Sequence, residues 1–426
     1  MNRLSFVLLL LLVRVLHDII YIYAISPIYE YAGFYLQIDE AKLFWSYVIL
    51  LCVGSLNPQS HKPSNFLLAM LQLFVLMPVI SLWALKDESS VFAAYVTCAF
   101  LVISALLRTP RLRIPTVREG QSVGTALSVL VLSVAGYYLV SRGATGQFNW
   151  NPLAVYELRE TVHETVFQGL AGYFIAWVAK VIAPVILAVA LYRRWWIVAA
   201  AAVGVQILLF GMTGHKEYAL YPVLVVFVFL AARSRVPIQH SFLVAVTSVL
   251  VAALLVCLSD APALARTGSA AFVHRTFTVI GENHFAYFHF FQTSPFVFLS
   301  NSVLAFASQY PFSAPVAELI GYGRYSAGSE AFANAGYIAS AYMHFGAAGI
   351  FGYSVLVGLI LRVYDSLIVN RIAMSVGVPI AAAAVFQLVN ADLTTALLTH
   401  GIGLSLLMLW LLGNSGEAVE RRTALP

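Results

Sequence analysis

Apolar runs long enough to cross a membrane recur along the whole sequence, separated by short polar stretches rich in arginine. Read in order, they fall at about 5–26, 43–54, 65–85, 90–107, 122–141, 169–192, 195–212, 218–232, 241–259, 336–361, 372–389 and 396–413. A hydrocarbon core of about 30 Å takes roughly 20 helical residues to cross, so the pattern predicts an all-α polytopic membrane protein with about 12 transmembrane helices. Residues 1–426 then form a single polytopic membrane domain. The run at 43–54 is the shortest. The first run begins like a signal peptide, but it contains Arg14, His17 and Asp18 and lacks a small-residue cleavage site, so it reads as the first span.

The polar connections set an expected orientation. Arg3, Lys62, Arg108, Arg111, Arg113, Arg118, Arg193, Arg194, Arg233, Arg235, Arg362, Arg371, Arg421 and Arg422 fall on one side, about 14 of the 24 lysines and arginines. Cations collect on the cytoplasmic side of short loops, which puts both termini in the cytoplasm. On the opposite side three segments are too long for simple turns: 27–42, 143–168 and 260–335. The last is not soluble in character. The run His284-Phe285-Ala286-Tyr287-Phe288-His289-Phe290-Phe291 and the apolar stretch from Phe296 to Phe306 suit a membrane interface.

Composition narrows the classes further. With 61% hydrophobic and 10% charged residues, no soluble core could hide the apolar surface. The net charge of +5 sits mainly in short loops, where retention on one side of a membrane explains it, so nucleic acid is not an expected partner. Cys52, Cys98 and Cys257 lie in apolar runs and form no disulfide or zinc pattern. The sequence has no Asp-x-Asp pair for a metal-bound nucleotide sugar, no phosphate-binding P-loop, no dinucleotide fingerprint and no His-Glu-x-x-His helix. No cofactor and no metal are therefore expected.

Candidate chemistry lies on the side away from the cytoplasm, where Arg159, Lys216, Arg266, Arg275 and Arg324 stand against the usual charge bias. Arginine clamps oxyanions in a bidentate fork and lysine acts as a point charge, so an anionic headgroup is the expected ligand. Arg159 lies in Tyr156-Glu157-Leu158-Arg159-Glu160, where Glu157 or Glu160 would activate a hydroxyl; an exposed amphipathic turn explains the same residues. Gly211-Met212-Thr213-Gly214-His215-Lys216 reads as a phosphate cradle or as a tight hairpin with a snorkelling lysine. Arg324 beside Tyr325 suits an acidic sugar, because an aromatic face packs on ring C–H bonds. Interfacial arginines meeting lipid headgroups are the alternative. Glu330 and Asn334 precede the span at 336–361, and the spacing of Asn334, Tyr337, Ala341 and His344 predicts one shared helix face. Within the spans, Arg14 with Asp18 and isolated Lys180 read as register-fixing charge pairs or as an ion pathway.

Several stretches together resemble a known family: Ile25-Ser26-Pro27-Ile28-Tyr29-Glu30-Tyr31-Ala32-Gly33-Phe34, the Gly-x-x-Gly-His-Lys turn, Arg275-Thr276-Phe277 with Tyr287-Phe288-His289-Phe290-Phe291, Asn334-Ala335-Gly336-Tyr337, and Ala341-Tyr342-Met343-His344-Phe345-Gly346-Ala347-Ala348-Gly349. In these the chain resembles the bacterial oligosaccharide repeat unit polymerases, the Wzy-like group that includes O-antigen polymerases. The resemblance implies a GT-C-like architecture in the bacterial inner membrane with a large membrane-associated periplasmic loop. It implies a metal-independent glycosyltransferase that moves a growing glycan from undecaprenyl diphosphate onto a lipid-linked repeat unit, with membrane lipids and a chain-length regulator protein as partners. Arg159, Lys216, Arg266, Arg275 and Arg324 would hold diphosphate or acidic sugars, with Tyr325 and Asn334 also on the substrate. Glu157, Glu160, Glu330 and His344 are the candidates for the base that an inverting displacement requires. His215-Lys216 stands where such proteins often carry arginine. Three other readings stay open: an O-antigen ligase, a transferase using polyprenyl-phosphate sugars with Asp39-Glu40 in its first outer loop, and a lipid-linked oligosaccharide transporter or flippase.

Overall fold

A computed structural model describes residues 3–57, 62–149, 170–302, 304–324 and 332–413. Among these residues all regular structure is helical, and a helix stands at each apolar stretch read from the sequence. Among the described residues, eight helices are long and apolar enough to cross a membrane: Arg3–Ala32, Pro63–Leu85, Gly120–Ser141, Gly172–Arg193, Trp196–Thr213, Ile238–Leu258, Tyr337–Ile368 and Leu393–Leu412. Ser90–Leu106 and Met374–Val389 are apolar but shorter. Helix is the form such runs take because hydrocarbon offers no partner to a backbone N–H or C=O, so each must be satisfied within its own segment. This is an integral membrane protein.

Proline shapes three of these helices in the same way. The π-helical turns Tyr21–Ile25, Gln72–Leu76 and Val178–Ile182 are each followed, two residues on, by Pro27, Pro78 and Pro184. A proline ring crowds the carbonyl one turn back and offers no N–H, and widening that turn by one residue relieves both problems without ending the helix. A fourth π turn, His274–Thr278, has no proline after it.

The chain divides into two compact units, the first comprising Met1–Pro110, Val236–Leu361 and Leu388–Thr394 and the second Arg111–Arg235, Arg362–Gln387 and Thr395–Pro426. At the centre of the first unit, Pro63–Leu85 is wholly buried, packed by Glu40–Leu56, Val279–Phe291, Ser90–Leu106 and Arg3–Ile20. Apart from Ser64, Asn65, Gln72 and Ser81, its residues are apolar all the way round, as suits a helix enclosed by protein. Gly281 lets Val279–Phe291 approach it closely, since a Cβ there would stand 2.8 Å from the Pro78 carbonyl oxygen.

Part of the expected outer segment at 27–42 caps this central helix. Gln37 N–H donates to Leu85 O at 2.8 Å and Asp39 N–H to Ala84 O at 3.0 Å, which satisfies carbonyls that the helix end leaves open. Asp39 also starts the next helix, accepting from Lys42 N–H at 2.9 Å, an N-cap its residue type favours. The stretch read from sequence as one interfacial loop, 260–335, contains a nearly continuous helix over 263–291, irregular chain, and the helix Val316–Arg324. By contrast Ile238–Leu258 is mostly exposed, with Leu255 66% and Val249 46% accessible, as lipid-facing side chains are.

The second unit is built around Lys216–Arg233 and Met374–Val385, with Ala183–Arg193 and Trp196–Thr213 against them. Gly120–Ser141 lies along Ile402–Leu412. The Tyr364 hydroxyl and Ser405 Oγ meet at 2.5 Å in its interior, a polar pair that satisfies two buried hydroxyls at once.

Candidate functional site

The longest helix, Tyr337–Ile368, is broken at Phe345 and Gly346, where the backbone leaves helical geometry. Gly346 has φ +61 and ψ −145, a region that side chains other than glycine rarely enter. The break frees the Met343 carbonyl, which accepts from Val297 N–H at 3.0 Å. It also fixes His344 immediately before the break, fully buried. His344 Nδ1 accepts from Leu299 N–H at 3.1 Å, so the ring proton is on Nε2, which donates to Asp392 Oδ2 at 2.7 Å. Thr394 N–H and Thr394 Oγ1 both donate to the same carboxylate, at 3.2 Å. Asp392 keeps 13% side-chain exposure while the histidine has none. The pair presents a carboxylate to the outside and uses the imidazole to orient it from behind, the arrangement of a positioned acid–base group. Aromatic side chains frame it: Phe345 and Tyr353 lie 6.0 and 6.2 Å from the His344 ring, and Phe298 lies 5.8 Å from Phe345.

A second cluster sits beyond the end of Pro63–Leu85. Lys86 is buried and donates to Glu282 at 2.7 Å and to Glu88 at 3.4 Å, with its ammonium 5.0 Å from the Tyr35 ring centre. His289 Nε2 donates to the other oxygen of Glu88 at 2.8 Å. Burial by itself would raise the Glu88 carboxyl, but the bond from His289 and the charge of Lys86 hold it below its ordinary range. The bond to Glu88 in turn raises His289, against partial burial. For the histidine, the folded state binds its proton more tightly than the unfolded chain, so its contribution is complete below the ordinary value of 6.5 and is lost as pH rises through the raised one. The carboxyl works in the opposite sense: its contribution is present above the ordinary 4.5 and is lost as pH falls through the lowered value. The contact is therefore strongest between these two limits. An NMR titration should place the His289 midpoint above 6.5, and Glu88→Gln should move it downward; a midpoint that Glu88→Gln leaves in place would disprove the coupling.

Within the first helix, Arg14 Nε donates to both oxygens of Asp18, at 2.7 and 2.8 Å. The pair read from the four-residue spacing is thus formed. Asp18 also accepts from Ser81 Oγ at 2.6 Å and from Tyr47 Oη at 2.8 Å, and His17 Nε2 lies 3.3 Å from Thr278 Oγ1. These contacts tie three helical segments of the first unit to one buried carboxylate, and His17 links the first helix to a fourth.

The candidates taken from sequence divide between the units, Arg266, Arg275, Arg324, Asn334 and His344 in the first and Lys216 in the second, all among the described residues. Glu157, Arg159, Glu160, Tyr325 and Glu330 lie outside them. Arg324 ends the helix Val316–Arg324. Lys216, exposed, opens the helix Lys216–Arg233 in the second unit. Arg266 and Arg275 are both exposed in the first unit, on the 263–291 helix; nine residues apart, they stand about 13.5 Å along it and on nearly opposite faces, so one phosphate group is not held by both. His274, next to Arg275, stacks on Tyr29 with ring centres 4.1 Å apart. Asn334 precedes the helix that was expected to contain it: the helix starts at Tyr337, and Asn334 is exposed with its carbonyl accepting from Asn283 Nδ2 at 2.9 Å. Tyr337, Ala341 and His344 are buried, as is every residue from 335 to 344.

Sequence reading missed Asp392, Lys86, Glu88 and Glu282. Asp392 left a signal, since Asn390 and Asp392 interrupt an apolar stretch between two spans, but nothing local connects it with His344, 48 residues away. Compared with known proteins, the chain matches no family model, no curated protein and no solved structure.

Proposed function

We propose that this protein is a membrane-embedded, metal-independent glycosyltransferase that polymerises undecaprenyl-diphosphate-linked oligosaccharide repeat units at the periplasmic face of the bacterial inner membrane. In this reading the chain has about twelve spans and a GT-C-like architecture, with both termini in the cytoplasm and 260–335 associated with the outer leaflet. The observation that carries it is the partly open Asp392 carboxylate, oriented by His344, which itself lies in one of the stretches that resemble the repeat unit polymerases. Both ring nitrogens of His344 are engaged by the protein, so the role of base falls to Asp392 and His344 is the residue that positions it.

The reaction then runs as follows. Asp392 takes the proton of the acceptor sugar hydroxyl, the hydroxyl oxygen bonds to the anomeric carbon of the donor, and the bond from that carbon to the diphosphate oxygen breaks. Undecaprenyl diphosphate leaves with the electron pair. Charge grows on the leaving diphosphate, and cations stabilise it most where water is excluded; Arg324 and one of Arg266 and Arg275, in the same unit as Asp392, are the proposed sources.

In cells lacking the protein, surface glycan is expected to fall from a ladder of lengths to single repeat units, and an unchanged ladder would reject the proposal. Loss of surface attachment with long lipid-linked chains accumulating would indicate the ligase reading instead. A transporter or flippase is the second reading, with Lys180, Arg14 and Asp18 along the pathway. Purified protein in liposomes separates the two: glycan elongation supports the transferase, and lipid movement without elongation supports the transporter.

A further inference from the structure

The second unit holds a buried ammonium that glycosyl transfer, as proposed, does not use. Lys180 lies in the π turn Val178–Ile182, and its side chain is 3% exposed. It donates to Gln387 Oε1 at 2.8 Å, His400 Nδ1 at 2.8 Å and Glu217 Oε1 at 3.0 Å. An ammonium has three N–H bonds, and these three acceptors use them all. The acceptors are themselves set. The Gln387 amide nitrogen donates to the Tyr221 hydroxyl, which turns its oxygen toward Lys180. Accepting at Nδ1 leaves the His400 proton on Nε2.

Backbone irregularity converges on this ammonium from four directions. Lys180 itself occupies a π turn, and Gln387 lies in the short 3-10 turn that follows Met374–Val385. His400 stands in the break between Leu393–Leu398 and Ile402–Leu412, beside Gly401 at φ +89. Glu217 is in the first turn of Lys216–Arg233, just after Gly214 at φ +68. Irregular backbone in a membrane protein is tolerated where protein encloses it or where it lines a polar site, and π turns collect at functional sites.

The partners differ in one respect that matters. Lys180 and Gln387 are buried and His400 half-buried, whereas the Glu217 side chain is 42% exposed. Glu217 reaches the surface of the chain and is the partner that can swing away, while Lys180 is enclosed. A buried cation without an anion is strongly unfavourable, so whatever displaces Glu217 must bring negative charge and acceptor oxygens. The site also faces the N-terminal turn of an 18-residue helix, whose dipole favours an anion, and exposed Lys216 lies beside it in sequence.

We propose that Lys180, backed by Gln387 and His400, is an anion site that the Glu217 carboxylate fills at rest and that a phosphate group, free or carried by a lipid, fills by displacing it. The site is independent of the glycosyl-transfer reading, because its binding is measured without turnover and does not involve the Asp392 pair.

The test uses the full chain purified in detergent, titrated calorimetrically with inorganic pyrophosphate. Replacing Glu217→Gln removes the competing charge and should tighten binding roughly tenfold or more, while Lys180→Gln should abolish it. Equal or weaker binding by Glu217→Gln, or undiminished binding by Lys180→Gln, overturns the proposal. If Lys180→Gln does not fold, the Glu217→Gln comparison decides alone. The source of the phosphate is read in nanodiscs containing phosphatidic acid or only neutral lipid. Phosphatidic acid retained by Glu217→Gln in native mass spectra identifies a lipid headgroup; pyrophosphate binding without retained lipid identifies a free ligand; neither overturns the site.

Discussion

Asp392→Asn is expected to lower glycan elongation by about 10²–10⁴-fold, the range spanned by loss of a positioned general base, with the protein still folded. The substitution keeps size and shape. An amide, however, has no negative charge and cannot take the acceptor proton. It also has only one acceptor oxygen for the three donors that now share the carboxylate: His344 Nε2, Thr394 N–H and Thr394 Oγ1. His344→Gln should have a smaller effect, because it removes an orienting bond and leaves the base in place; kcat should fall with little change in KM and with a displaced pH profile. Elongation by purified protein in liposomes measures both. Near-normal turnover by Asp392→Asn would remove Asp392 from the mechanism and with it the chief support for the reaction proposed above.

Asp18→Ala should destabilise the protein by about 3–5 kcal/mol, the cost of leaving one member of a buried ion pair uncompensated. Arg14 has no exposure and Asp18 only 5%, so solvent cannot replace the lost carboxylate. The substitution also removes the acceptor for Ser81 and Tyr47. Thermal and denaturant unfolding in detergent give the comparison. A double replacement, Arg14→Met with Asp18→Leu, should recover much of the loss, because the penalty arises chiefly from the orphaned charge and apolar groups of similar volume often replace a buried pair at little cost. A loss below about 1 kcal/mol for Asp18→Ala would mean that Arg14 finds another anion or solvent, and the network would then not be the tie between helices described here.

The geometry also explains why the charged residues divide so differently between sequence and structure. Arg14 and Asp18 were legible as a pair because both lie on one helix, one turn apart, and helical spacing alone brings them together. Lys180 was legible only as an isolated intramembrane charge. Its partners Gln387 and His400 are 207 and 220 residues away, and no periodicity connects them. The exposed cations stand out in the sequence because they break the expected charge bias, yet Arg266 and Arg275 stand on nearly opposite sides of one helix and the buried groups form the tighter constellations. Charge bias reports which side of a membrane a loop occupies; it carries no information about which side chains meet.

What the amino-acid sequence determined by itself is the helical, membrane-crossing character of the chain. Runs such as 65–85 and 241–259 must close their backbone hydrogen bonds within the segment, so length and apolarity are enough to identify them. Which helix would be enclosed and which would face lipid was decided only by tertiary packing, since Pro63–Leu85, fully buried, and Ile238–Leu258, mostly exposed, have similarly high hydropathy. The same holds for the break at Phe345–Gly346 and for the Asp392–His344 pair. Both depend on contacts between distant segments, because the energy that holds a histidine against an aspartate or a chain in a glycine-only conformation comes from neighbours that the local sequence does not contain.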